Sequence, residues 1–307
     1  MSFEILKPGV LTTVQDGGRR GVAHLGVPRG GALDLPALML ANRLVGNDEH
    51  AAGLEIVAGP VAIRLFGSGW LALCGADFGA RLDGVALAPG WRRPWRDGQM
   101  LELSGTRHGM RCYLALSGGV HVPLVLGSRS TDLGAGFGGW QGRALHAGDR
   151  LPLGAGAHFE RAVGCLQPES DGVLRYLAGP EMHHFGAKLD GGVWTVTPQS
   201  NRMGMRLTGP KLQRDDAAQL PSHAVIPGVI QVPPDGQPIV LLADAQTTGG
   251  YPRIGVVIEA DLWKLAQARP KETLRFVQCD AAQAASARAQ IRQSNYRFNW
   301  SADAHRS

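Results

Sequence analysis

Three short stretches gather side chains that bind charge or carry protons, each where glycines let the backbone turn tightly. The first is Thr12-Thr-Val-Gln15-Asp16-Gly17-Gly18-Arg19-Arg20-Gly21, followed by Gly30-Gly31 and Asp34. Glycines allow backbone amides to approach an anion, and Arg19 or Arg20 is able to clamp one; a glycine-rich loop with solvated arginines is the plainer alternative. The second, Gln199-Ser200-Asn201-Arg202-Met203-Gly204-Met205-Arg206-Leu207, alternates so that, as a strand, it puts Arg202, Gly204 and Arg206 on one face. Two guanidiniums flanking a small residue make a clamp for carboxylate or phosphate, or else an ordinary solvated face.

The third stretch is Asp244-Ala-Gln246-Thr247-Thr248-Gly249-Gly250-Tyr251-Pro252-Arg253, directly after the apolar run Ile239 to Leu242. A strand end followed by a carboxylate, an amide and hydroxyls places polar groups at a sheet rim, where Asp244 suits a metal ion or a substrate N–H. Gly127-Ser128-Arg129-Ser130-Thr131-Asp132 is a weaker stretch of the same kind, equally readable as Asx-turn chemistry.

Several common chemistries are missing. There is no Gly-x-x-x-x-Gly-Lys-Ser/Thr phosphate loop, no Gly-x-Ser-x-Gly elbow and no His-Glu-x-x-His pair. Cys74, Cys112, Cys165 and Cys279 are far apart; Cys74, Cys112 and Cys279 lie in apolar runs and read as buried, reduced thiols, which points to a reducing compartment. None of the five lysines stands in a Met-Lys-Met setting, so no covalent biotin is expected on this chain. The N-terminus lacks a basic and apolar leader, no 18-residue apolar run exists, and the expected location is the cytoplasm.

The elements that must hold these stretches are short. Glycine supplies 43 of 307 residues, about twice the usual share of roughly 7%, and 19 prolines join it, which excludes long helices over most of the chain. Net charge is +5, with 26 Arg among the 31 basic residues but no basic run with interleaved aromatics, so nucleic acid is not an expected partner.

Strand-like runs cover Phe3 to Leu6, Val61 to Phe66, Trp70 to Cys74, Met100 to Leu103, Arg111 to Leu116 and Val120 to Leu126, with a hairpin over Ala80 to Ala88 around Asp83-Gly84. One helix is predicted from Leu35 to Val45, capped by Asp34 and closed by Gly46, with Asn42 and Arg43 toward its other side or edge, available to solvent or to a site. A linker over residues 154–171 precedes further strands at Val173 to Leu177, Gly192 to Thr197, Gly204 to Leu207, Val229 to Val232, Ile239 to Leu242, Gly255 to Ile258 and Thr273 to Cys279. Helices are expected near Ala260 to Gln267 and, capped by Asp280 and amphipathic, Ala281 to Gln293. The expected class is mainly β: two barrel-like halves, 1–160 and 161–300, with a few short helices and a frayed tail at 301–307.

The polar stretches, with Pro227-Gly-Val-Ile-Gln-Val232, occur in an order that resembles the biotin-dependent carboxyltransferase / allophanate hydrolase subunit 2 family over about residues 3 to 280. The resemblance implies cyclophilin-like β-barrels and membership of a heteromeric ATP-dependent 5-oxoprolinase, with a smaller, cyclophilin-like B component and a cooperating A component. Such a complex opens the lactam 5-oxoproline to L-glutamate by phosphorylating it, with ATP and Mg²⁺ as co-substrates. On this reading Arg202 and Arg206 bind the substrate carboxylate or the transferred phosphoryl, Asp244 holds Mg²⁺ or the lactam N–H, and Ser200, Asn201, Gln246, Thr247 and Arg253 line the pocket. Gln15, Asp16 and Arg19 serve an interface with a partner chain or a second part of that pocket. The alternatives are the carboxyltransferase component of a urea- or amide-carboxylating system, with biotin on another chain, and a regulatory antagonist of a histidine-kinase inhibitor.

Overall fold

The structure is a computed structural model that describes residues 1–106, 108–185, 189–214 and 220–294, with side chains described up to residue 291. The tail at 301–307 lies outside the described residues. The chain divides into two units: Met1–Arg19 with Gly30–Pro168, and Arg20–Arg29 with the described residues from Glu169 onward. Among the described residues no helix is long and apolar enough to cross a membrane.

The first unit holds β1 (Ser2–Pro8), β2 (Leu11–Gln15), β3 (Gly53–Val57), β4 (Val61–Phe66), β5 (Gly69–Asp77) and β6 (Arg81–Leu82). β7 (Val85–Ala86), β8 (Arg92–Trp95), β9 (Met100–Leu103), β10 (His108–Leu116) and β11 (Arg150–Pro152) complete it. They form two sheets, β11-β1-β4-β9-β6-β7 and β2-β3-β10-β5-β8. Phe3, Ile5, Ile63, Leu65, Leu101 and Leu103 of one sheet share a core with Leu54, Ile56, Leu71, Leu73, Leu114 and Leu116 of the other.

The first half is built from two sheets, where the second half has one closed ring of strands. The chain passes between two sheets whose outer strands, β11 and β7 in one and β2 and β8 in the other, have a single strand neighbour among the described residues. The predicted strand Val120 to Leu126 is not formed: Val120 makes one isolated bridge to Leu153, Leu124 and Leu126 are exposed, and Leu126 has a φ of 53°. Pro123 offers no amide to a ladder, and the left-handed Leu126 turns the chain.

α1 (Leu35–Leu44) lies where the capping signals place it: the Asp34 carboxylate accepts the Ala37 N–H at 3.0 Å, and Gly46 has a φ of 73°. Its face of Leu38, Ala41 and Leu44 packs on Trp70, Ala72, Cys74, Tyr113 and Ala115, the outer face of the five-stranded sheet. Burial on both faces explains why Trp70 to Cys74 is continuously apolar rather than alternating. Asn42, expected at the other side or edge of the helix, is fully buried and donates to the Glu49 and Ala51 carbonyls, and Arg43 pairs with Glu49.

The second unit contains β12 (Val173–Ala178), β13 (Val193–Val196), β14 (Gly204–Thr208), β15 (His223–Ala224) and β16 (Val229–Gln231). After them come β17 (Ile239–Leu241), β18 (Thr248–Gly249), β19 (Arg253–Val257), α2 (Leu262–Gln267), β20 (Thr273–Gln278) and α3 (Ala281–Ser294). Seven strands close into a barrel in the order β12-β19-β16-β17-β14-β13-β20, sealed by the parallel pair β12 and β20. Tyr176, Trp194, Met205, Leu207, Ile230, Val240 and Phe276 are buried, and Tyr176 and Trp194 both meet Phe276 edge-on. α3 opens on a capping box in which Asp280 and Gln283 exchange hydrogen bonds, and its Ala284, Ala287 and Ile291 stripe packs with Ile258 and Ala260. Cys74 and Cys112 are buried and Cys165 and Cys279 half-buried, all of them free thiols.

Because β17 and β19 both run antiparallel to β16, the chain joining them must travel back along the barrel. That crossover, residues 242–252, runs with Val225 of the β15 segment over the outer face of β16 and β17, where Val225, Val229, Leu241 and Ala245 form a small core. It is the third polar stretch of the sequence.

Candidate functional site

The crossover begins beside the second polar stretch. The β14–β17 ladder continues past both strands, with the Leu242 N–H donating to the Met203 carbonyl at 3.0 Å and the Asp244 N–H to the Arg202 carbonyl at 3.1 Å. This sets Arg202 and Asp244 side by side, and their side chains close a bidentate pair: Arg202 Nε to Asp244 Oδ2 at 2.7 Å and Nη2 to Oδ1 at 3.0 Å. Both side chains are nearly buried, at 6% and 10% exposed, so each charge depends on the other.

The neighbouring turn is built by side chains. Asn201 Oδ1 accepts the Met203 N–H at 2.9 Å, and Ser200 Oγ accepts the Arg206 N–H at 3.0 Å. Regular pairing starts only at Gly204, so Arg202 stands outside the strand that carries Arg206, whose side chain is exposed. The predicted sharing of one strand face by Arg202, Gly204 and Arg206 is therefore corrected: Arg202 turns to Asp244 and Arg206 faces outward.

Further along, Gln246 is exposed and Thr247 half-buried, its carbonyl accepting the Val225 N–H at 3.0 Å. Gly249 pairs with His223 and lies so close to β16 that an added Cβ would sit 2.9 Å from Gln231 Nε2. The buried Gln231 in turn donates to the Tyr251 carbonyl at 3.3 Å. The crossover ends at Arg253, which pairs with Gln231 across a bulge in the β16–β19 register.

Glu181 grips Arg253 three ways, accepting its backbone N–H at 2.8 Å, Nε at 3.0 Å and Nη2 at 2.8 Å. Burial disfavours the Glu181 charge, but the hydrogen bonds and charge of Arg253 win, and its carboxyl is held below the ordinary range. By register, Arg253 lies at the Gln231 end of β16, whereas Asp244 follows Leu241, beside the Val229 end. Arg202, Asp244, Ser200 and Asn201 thus form one centre, Arg253 another, and Gln246 and Thr247 bridge them.

Gln15, Asp16 and Arg19 form a separate centre in the first unit. Asp16 Oδ1 accepts from Gly18 N–H at 2.8 Å and from the hydroxyls of Ser128 at 2.6 Å and Ser130 at 2.5 Å, while Oδ2 accepts from Arg129 N–H at 2.6 Å. Gln15 is fully buried and donates to Thr13 Oγ1 and the Thr131 carbonyl. Arg19 donates to the Ser130 carbonyl and stacks 4.5 Å from the Phe137 ring centroid. Gly31, with a φ of 88°, allows a close approach here, since a Cβ would lie 2.8 Å from the Gly18 nitrogen, and Gly138 a closer one, against the Ser130 carbonyl oxygen. The weaker 127–132 stretch is therefore the partner of the first.

Sequence reasoning missed Glu181, His223 and Gln231. A lone acid 72 residues from its arginine carries no local signal; only the β12–β19 register, continued past Ala178, brings the two together. Among the described residues no three His, Cys, Asp or Glu side chains are grouped to hold a metal ion.

A family model for the carboxyltransferase domain, subdomains A and B, matches residues 25–278. The chain is 50% identical over 291 residues to the C subunit of 5-oxoprolinase from Escherichia coli K12, covering 93% of this chain and 94% of that protein. It is 38% identical to the corresponding C subunit from Haemophilus influenzae, with the same coverage of 93% and 94%. In structure it is similar to the urea amidolyase of K. lactis, at a TM-score of 0.89 and 29% identity, covering 96% of this chain but 20% of that longer one.

Proposed function

This chain belongs to the carboxyltransferase-domain family, and on that footing we propose that it is the C subunit of an ATP-dependent 5-oxoprolinase, which opens 5-oxoproline to L-glutamate. The observation that carries the reading is the 50% identity over nearly the full length of both proteins. The match to 94% of a protein that is itself one subunit of 5-oxoprolinase supports separate A and B partners. Cytoplasmic residence and cyclophilin-like descent of both halves belong to the same reading.

An unstrained lactam resists water. Transfer of a phosphoryl group from ATP to its oxygen makes the ring carbon electrophilic, and catalysis of such a step rests on positioning and charge neutralisation. Arg202, fixed by Asp244, supplies a pre-oriented guanidinium for the substrate carboxylate or the transferred phosphoryl. Both Asp244 oxygens already accept from a cation, so Asp244 does not fit as an Mg²⁺ ligand, and the metal enters with the ATP phosphates. With Arg202 balancing its charge, the Asp244 carboxylate is placed to accept the lactam N–H. Arg206, Gln246 and Thr247 offer exposed or half-buried polar groups along the rim, and Ser200 and Asn201 shape the turn that presents Arg202.

The test is glutamate release from 5-oxoproline and ATP by the reconstituted complex. Arg202→Ala or Asp244→Ala, in a complex that still assembles, lowers turnover at least about 100-fold if the pair stabilises the transition state. Near-normal turnover in both would remove the pair from the site.

A further inference from the structure

Ring opening moves two protons from water to the lactam nitrogen, and the groups assigned so far are poorly suited to carry them. Arginine does not titrate in proteins, Asp244 is locked on Arg202, and Glu181 is locked on Arg253 and held below its ordinary range. His223 differs. Its Nδ1 lies 3.1 Å from the Pro221 carbonyl, which only accepts, so Nδ1 carries the proton and Nε2 the lone pair. Nε2 is out of solvent contact and has no hydrogen-bond partner among the described residues. A buried acceptor without a donor costs about 1–3 kcal/mol, which an incoming O–H would relieve.

The position also fits. His223 is paired with Gly249, so it sits on the crossover between Thr247 and Arg253. At the end of that crossover Arg253 holds the Glu181 carboxylate. His183 and His184, adjoining Glu181, stack on each other at 4.0 Å.

We propose that His223 is the proton carrier of the ring-opening step, an inference that rests on the function proposed above. Phosphoryl transfer to the lactam oxygen releases ADP and the lactam N–H proton and leaves a C=N bond; water then attacks that carbon, giving one proton to Nε2 as the new C–O bond forms and the C=N electron pair moves to nitrogen. His223 returns that proton to nitrogen. The added hydroxyl then loses its proton through the same ring, the C–N bond breaks with its electrons on nitrogen, and the products are the free amine and γ-glutamyl phosphate. A second water releases phosphate and leaves glutamate.

The test uses the full complex with His223→Asn, whose amide still donates to the Pro221 carbonyl but supplies no base, and His223→Gln as a second variant. The expected result is a kcat at least about 100-fold lower with KM for 5-oxoproline within about twofold, and loss of the acid limb of the kcat pH profile. A purely structural His223 gives an Asn variant with the wild-type profile and a kcat within about threefold, and that result overturns the proposal. Wild-type complex without turnover overturns the proposed function and this inference together, whereas an active wild type with an active Asn variant overturns this inference alone.

Discussion

Asp244→Ala leaves the Arg202 guanidinium in place, 6% exposed, with its bidentate partner removed. Breaking a buried ion pair by removing one partner costs about 3–5 kcal/mol. At about 2–4 °C per kcal/mol for a chain of this size, that is roughly 6–20 °C in Tm. Arg202→Ala breaks the same pair and costs a similar amount. The double replacement Arg202→Met with Asp244→Leu removes both charges and fills the space with apolar volume, so it recovers to within about 1–2 kcal/mol of wild type. Turnover follows a different pattern, lost in all three variants. The assay is urea unfolding followed through tryptophan fluorescence, in which the fully buried Trp194 reports on this barrel, beside glutamate release by the assembled complex. A single-variant loss below about 1 kcal/mol, the range of exposed pairs, or a double variant no more stable than the singles, refutes the reasoning.

Asp16→Asn puts an amide donor against one of four donated hydrogen bonds, and a cost of about 2–3 kcal/mol in urea unfolding is expected; an unchanged midpoint would show the network to be slack. Asp149, held by Arg143 down to about 2, has a folded pKa below its unfolded value near 3.9, so its contribution is present above about pH 4 and fades as pH falls toward about 2. Asp149→Asn therefore lowers stability by about 1–2 kcal/mol at pH 7, discounted because Arg143 is 31% exposed, and the two proteins converge in acid. Burial pushes the Cys74 and Cys112 thiols up, so a thiol reagent labels neither until the protein unfolds; rapid native labelling of either contradicts the described packing.

Local signals located much of this molecule. Asp34 with Pro36 and Gly46 marked α1, Asp280 marked α3, and the apolar run Ile239 to Leu242 marked β17. β3 was illegible because Glu55 interrupts it; that buried carboxylate is tolerated because the Tyr113 hydroxyl and the Leu33 N–H donate to it at 2.7 and 3.0 Å. Arg202 and Asp244 stood out separately by residue type, but their pairing depends on the β14–β17 register across 42 residues. Still longer separations, 112 and 114 residues, hid the pairing of Asp16 with Ser128 and Ser130, and 72 residues that of Arg253 with Glu181.

The central claim is that this chain is a working component of a lactam-opening complex. The decisive measurement is glutamate and phosphate release from 5-oxoproline and ATP, made with the A and B components in the presence and absence of this chain. Coupled release is expected only when all three are combined. Equal release without this chain, or none from the assembled complex, contradicts the claim.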